Sequence, residues 1–228
     1  MPPPESHKQL SPTQIALIRA WITQGAPWQA HWSLRAPVRP EVPTPAKTGW
    51  ASNEVDQFLL AKLEENKLSP APDADPHVIS RRLALDLTGL PPAPEITAEF
   101  ISNPSEKNYL RLVETLLASP RYGEHRARYW LDAARYGDTH GLHFDNYREM
   151  YPYRDWVVKA FNQNLSYDKF TLWQLAGDLL PDPSLDQLIA TGFQRCNITT
   201  NEGGTIAEEN LANYAADRVQ TFGWVYLG

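Results

Sequence analysis

Apolar residues in this chain recur three and four positions apart, the spacing that gathers them on one face of a helix, and no segment alternates as a half-buried strand does. The first such run is Ile15, Leu17, Ile18, Trp21 and Ile22. Ser11, Pro12 and Gln14 supply an N-cap, a first-turn proline and a capping-box partner, and Gly25 supplies a stop. The pattern predicts a helix over 12–24. Beyond it, prolines at 27, 37, 40, 43 and 45 remove backbone donors and block helix and central strand alike. Residues 26–50 are expected to form an extended linker, with Trp28, Trp32 and Trp50 as its anchors on the next domain.

Helical signals resume at residue 52. Ser52 or Asn53 caps a helix that puts Val55, Phe58, Leu59, Ala61 and Leu63 on one face and ends near Asn66. Asp75 and Pro76 open another, with Val78, Ile79, Leu83, Leu85 and Leu87 as its apolar residues and Gly89, Pro91 and Pro92 as its stop. Further helices are predicted over 94–101, 105–118, 121–136, 153–164, 167–180, 184–193 and 206–224. Two stretches, 137–150 and 197–204, carry no sustained apolar period and read as polar loops. The fold class expected is all-α: an irregular multi-helix domain behind a Pro-rich extended N-terminal linker.

Composition narrows the function classes. With 42% hydrophobic and 21% charged residues, the 228-residue chain is globular in character. A net charge of -6, without any Lys/Arg cluster, argues against a nucleic-acid partner, because neutralising phosphates needs a basic face. No apolar run is long enough to span a membrane, and the first eight residues lack the basic and apolar regions of a signal peptide. Cys196 stands alone, so the chain has no internal disulfide and no cysteine-based metal site; it reads as a small packing residue.

The polar loops hold the candidate chemistry. Asp138, His140, His143 and Asp145 lie within eight residues, and both residue types donate lone pairs to divalent metals. Gly137 and Gly141 allow the loop to curl. The spacing matches no zinc signature, and the other reading is a turn-rich loop in which Asp138 and Asp145 cap helices or accept backbone donors. Glu202, beside Gly203 and Gly204, is either a general base or ligand close to the first loop or part of a flexible helix lead-in. Asp138, Asp145 and Glu202 are thus the catalytic candidates, and His140, His143, Asp138 and Asp145 the metal candidates. Charged residues within the helices, among them Asp132 with Arg135 three positions on, and Asp217 with Arg218, are expected to tie helices together.

Several motifs occur in a familiar order: Asp86-Leu-Thr-Gly-Leu-Pro-Pro92, Leu116-Leu-Ala-Ser-Pro-Arg-Tyr-Gly-Glu124, Trp130-Leu-Asp-Ala-Ala-Arg-Tyr-Gly-Asp138, Tyr153-Arg-Asp-Trp-Val157, Gln174-Leu-Ala-Gly-Asp-Leu-Leu-Pro181, Ala190-Thr-Gly-Phe193 and Glu202-Gly-Gly204. Together they resemble the cytochrome c-associated domain of unknown function found in large planctomycete proteins, over residues 31–228. Met1-Pro2-Pro3, with Trp21-Ile22 and Gly25-Ala26, resembles the end of a preceding cytochrome c-like domain, in which such a methionine is an axial haem ligand. The resemblance implies three segments: 1–28, the remnant of a cytochrome c-like domain; 29–50, a Pro/Trp-rich linker; and 51–228, the helical domain, truncated at its C-terminus.

The resemblance also implies a periplasmic or exported parent protein, with haem c on that parent and a haem domain of the same parent chain as partner. This segment has no Cys-x-x-Cys-His and is not expected to attach haem alone. The leading expectation is a module of unknown activity associated with haem-based electron transfer. The alternatives are a metal-dependent hydrolase or oxidase acting on complex polysaccharide, and a carbohydrate-binding or structural helical module.

Overall fold

The computed structural model describes residues 3–6, 9–47 and 49–228. Among these the protein is all-α, with ten α-helices joined by loops and short 3-10 turns, no strand, and two isolated β-bridges. Among the described residues no helix is long and apolar enough to cross a membrane. The chain divides into two compact units, Met1–Pro72 and Asp73–Gly228.

In the first unit, α1 spans Pro12–Thr23 and starts as its sequence dictates. Ser11 Oγ accepts the Gln14 N–H at 3.2 Å while Gln14 Oε1 accepts the Ser11 N–H at 2.8 Å, so two orphan donors are satisfied reciprocally. Gly25 then takes a left-handed φ of 89° that L side chains resist. The apolar face expected to be covered is not: no residue of α1 is buried, and Leu17 is 71% exposed.

The described residues of 26–50 hold a single 3-10 turn, Trp32–Leu34, and are otherwise without regular structure. Trp28 and Trp32 are 85% and 78% exposed. Polar bonds hold the stretch instead. Helix α2, Glu54–Glu65, is capped by Asn53, whose side chain accepts the Asp56 N–H. Near its end, Glu64 accepts the backbone N–H groups of Ala46 and Lys47 at 2.9 and 2.8 Å, and these bonds lower its pKa. Arg39 reaches both carboxylate oxygens of Glu54. The buried position of α2 is Leu60, whereas Val55, Phe58 and Leu59 of the predicted face are exposed.

The second unit contains α3 (Pro76–Thr88), α4 (Pro94–Ser102), α5 (Glu106–Leu117), α6 (Pro120–Ala133), α7 (Tyr151–Asn162), α8 (Tyr167–Ala176), α9 (Leu185–Ala190) and α10 (Ala207–Tyr226). Turns at Gly177–Leu179 and Thr191–Arg195 extend α8 and α9 in 3-10 form, so the predicted helices over 167–180 and 184–193 each change pitch. Two cores form. Ala84, Phe100, Leu112 and Leu116 join α3, α4 and α5, with Ile79, Leu83 and Leu87 against them. In α3 the fully covered stripe is Ser80, Ala84 and Thr88, while Val78 is exposed. Small residues at i, i+4 and i+8 permit close packing, and the two hydroxyls satisfy themselves on the Pro76 and Ala84 carbonyls.

The larger core gathers Ala127, Ala134, Tyr153, Trp156, Val157, Phe170 and Phe193 with partly covered neighbours that include Trp130 and Tyr226. Its centre is polar and satisfied. Gln174, at 0% exposure, accepts from Trp130 Nε1 at 2.9 Å and from the Tyr153 hydroxyl at 2.7 Å, and its amide nitrogen donates to the Phe170 carbonyl at 2.9 Å. This network ties α6, α7 and α8 together, and burial holds the Tyr153 phenol protonated far into the alkaline range. Helices α6 and α7 meet at Gly123, whose N–H donates to Asn162 Oδ1 at 2.8 Å while Asn162 Nδ2 donates to the Pro120 carbonyl at 3.2 Å. A Cβ at 123 would stand 2.5 Å from the Val158 carbonyl oxygen.

Candidate functional site

The loops at 137–150 and 197–204 both belong to the Asp73–Gly228 unit, and one ion pair sets the start of each. Arg135 leaves α6 with a left-handed φ of 60°. Its guanidinium donates to Asp217 of α10 at 2.5 Å and to Thr221 Oγ1 at 3.2 Å. The other Asp217 oxygen accepts the Ile198 N–H at 3.0 Å. The expected tying of helices by charged side chains is thus made from Arg135 to Asp217 of α10, while the left-handed turn carries Arg135 off the helical spacing to its neighbour Asp132.

The first loop closes on itself through the Arg148 N–H to the Asp138 carbonyl, 2.8 Å, and the His140 N–H to the Asn146 carbonyl, 3.0 Å. Gly141, His143 and Asp145 at its tip all take positive φ. Asp145 Oδ1 accepts the Gly141 N–H at 2.7 Å, and this bond with one from the Thr139 side chain lowers its pKa, the Thr139 contribution being the larger. That is the backbone-accepting role the second reading of Asp145 anticipated.

The two loops meet. The Thr199 N–H donates to the His140 carbonyl at 2.8 Å, and Gly141 forms a parallel bridge with Thr199. A Cβ on Gly141 would lie 3.3 Å from Ile198, so glycine serves both φ and close approach there. The His140 ring is held at both nitrogens: Nδ1 lies 2.6 Å from Thr199 Oγ1, and Nε2 lies 3.1 Å from Asn201 Nδ2. Thr199 Oγ1 also accepts from Arg148 Nη1 at 3.2 Å, so the threonine oxygen joins the imidazole to a guanidinium.

The predicted site residues separate into distinct groups. His143 Nδ1 lies 3.9 Å from Glu202 Oε2, so the two loops do bring this pair together. Asp138 accepts the Tyr136 hydroxyl at 2.7 Å and lies 3.8 Å from Arg154. Burial and this carboxylate raise the Tyr136 pKa. Tyr136 and Arg154 line a different cavity, of about 670 Å³, from the one His140 lines. Among the described residues no group of three or more His, Cys, Asp or Glu side chains is placed to hold a metal ion. Both nitrogens of His140 are engaged in hydrogen bonds, and His143 with Glu202 is the pair that the two loops bring together.

The lone thiol, Cys196, is buried, donates to the Gly192 carbonyl, and has its pKa pushed up to about 12 by burial. Met1, the axial candidate, lies outside the described residues.

His140, Thr199 and Asn201 instead form one wall of an open cleft of about 880 Å³, lined also by Arg148, Arg195 and Arg218. Glu149 and Asp178 lie on the same lining. The three arginines and Thr199 were not singled out as site residues from the sequence. One signal was available: neither Arg195 nor Arg218 has an acidic residue three or four positions away, the spacing that pairs charges along a helix. What the cleft can do is bind. It offers donors from guanidinium, amide, imidazole and hydroxyl groups, and acceptors from two carboxylates.

Comparison with known proteins gives one family. The model of PSCyt2: Protein of unknown function (DUF1549) matches residues 54–228. No curated protein and no solved structure shows a significant match.

Proposed function

The chain belongs to the PSCyt2 family of proteins of unknown function, and from that premise we propose that it is the ligand-holding module of an exported cytochrome c-associated protein, binding a hydroxyl-rich ligand of the saccharide class in the cleft walled by His140, Thr199 and Asn201. The observation that carries this reading is the joining of two distant loops through both nitrogens of one imidazole. A ring fixed at both ends is a preorganised polar surface. Saccharide hydroxyls both donate and accept, and the mixed lining of amides, hydroxyls, guanidiniums and carboxylates matches that need.

Electron transfer in this proposal belongs to a haem domain of the same parent chain. The cytochrome-bearing name of the family supports it. So does the open apolar face of α1, which is the kind of surface that packs on another domain.

Isothermal titration of the 228-residue chain with neutral, uronate-bearing and sulfated oligosaccharides tests the binding reading. Binding by at least one class is expected, weakened about tenfold or more in His140→Ala and in Asn201→Ala at unchanged melting temperature. Absence of binding by all three classes, or binding indifferent to both substitutions, overturns it.

A further inference from the structure

The cleft carries a feature that a neutral polar ligand does not explain. Arg148, Arg195 and Arg218 line it together, and among the described residues none of them makes an ion pair. Arg148 is held by neutral acceptors alone, the Asn197 carbonyl at 3.1 Å and Thr199 Oγ1 at 3.2 Å, and its Nε is buried with no hydrogen-bond partner. A half-covered guanidinium without a counter-charge is costly, and two further guanidiniums on the same lining add repulsion. Glu149 and Asp178 also line the cleft, yet neither closes an ion pair with an arginine there. Elsewhere in the chain, arginines do find carboxylates: Arg39 on Glu54, Arg111 on Glu99, Arg121 on Glu124, Arg135 on Asp217 and Arg154 on Asp155. Arg19, Arg35, Arg81, Arg82, Arg126 and Arg128 also make no ion pair among the described residues, so what sets this cleft apart is three such guanidiniums on one lining, one of them with a buried Nε that has no partner.

We infer that the cleft is selective for an acidic saccharide, whose carboxylate or sulfate oxyanion is received by Arg195 and Arg218 while Arg148 supplies fixed positive charge from the wall. The inference rests on the saccharide-cleft reading above. Guanidinium forks match planar and tetrahedral oxyanions with paired donors. Arg195 and Arg218 are exposed, with their donors open to a ligand, whereas Arg148 is positioned by Thr199, which His140 holds in turn. Glu149 and Asp178 then have sugar hydroxyls as partners, so both signs of charge in the lining are used.

The test compares a uronate oligosaccharide, a sulfated oligosaccharide and a neutral one of equal length, titrated into the wild-type chain and into Arg195→Gln, Arg218→Gln and Arg148→Gln at two salt concentrations. At least one acidic probe is expected to bind about tenfold or more tighter than the neutral one. Arg195→Gln and Arg218→Gln should each remove most of that advantage, and its salt dependence with it. Whichever acidic probe binds identifies the oxyanion. Arg195→Gln and Arg218→Gln decide the matter even where Arg148→Gln fails to fold, because neither exposed side chain supports the core. Equal binding of neutral and acidic probes, or an acidic advantage that survives both exposed substitutions, overturns the anion inference. If binding still falls in His140→Ala, the saccharide cleft itself stands. Failure of all three probes to bind wild type overturns both.

Discussion

The Asp73–Gly228 unit closes its apolar stripes around two cores, whereas among the described residues of Met1–Pro72 only Leu60 is a buried hydrophobic. Both units form well-capped helices, so the contrast does not come from helix formation. Ser11 builds as complete a capping box on α1 as Ser184 builds on α9. A cap stabilises a helix locally by about 1 kcal/mol, while burying one large aliphatic side chain contributes about 1.5–3 kcal/mol. The second unit has the covered surface that the first lacks, and the first is held by polar bonds such as Glu64 to the backbone at 46 and 47. A helix can therefore be well specified without belonging to a core.

Substitutions can break or sharpen that contrast. The largest effect is expected from Gln174→Leu, which leaves the Tyr153 hydroxyl proton without its buried acceptor and Trp130 Nε1 with the Tyr153 oxygen alone; denaturant unfolding should show a loss of about 2–4 kcal/mol. A loss under about 0.5 kcal/mol would mean that the network does not hold α6, α7 and α8 together. Gly123→Ala comes next, at about 1–3 kcal/mol, because the new methyl meets the Val158 carbonyl oxygen at the α6–α7 contact. Asp217→Asn should cost about 1–2 kcal/mol by weakening the Arg135 ion pair, and it should raise amide exchange at Ile198, whose N–H the same carboxylate accepts.

A smaller, pH-dependent effect is expected at Asp145. Its pKa is lowered in the fold, so its contribution is present above the ordinary carboxylate range and is lost as pH falls through the folded pKa. Protection of the Gly141 amide, referred to the intrinsic exchange rate at each pH, should fall on acidification, and Asp145→Ala should remove that pH dependence of the protection. An unchanged profile in the variant would place the titrating group elsewhere. Smallest of all, Trp21→Ala on the open face of α1 should change the stability of this chain by less than about 0.5 kcal/mol. A loss above about 2 kcal/mol would show that α1 is covered in solution, and the contrast between the units would fail.

The all-α class and most helix starts were legible because caps are written in adjacent residues. Ser11, Asn53, Asp75 and Ser105 each accept a backbone N–H two or three positions on. The covered faces were less legible. Hydrophobicity pointed to Val55, Phe58 and Leu59 in α2 and to Val78 in α3, yet the residues covered are Leu60 and the Ser80–Ala84–Thr88 stripe. Small and hydroxyl-bearing residues carry little hydrophobic signal even where close helix packing requires them. In the site, the polar loops and the bond-accepting role of Asp145 could be read from glycine and carboxylate spacing. The division between Asp138 and His140 could not, since it depends on Tyr136 and Arg154 drawing one carboxylate toward another cavity.

By itself, then, the order of residues determined where helices begin, where glycine turns the chain, and which two connections stay polar, because each of these is settled within one or two turns of backbone. Only the tertiary structure decided that Arg135 answers to Asp217, that Thr199 and Asn201 grip His140, and that three arginines share one lining. Those partners lie tens of residues apart, and side chains so distant are brought within bonding range only by the packing of the helices between them.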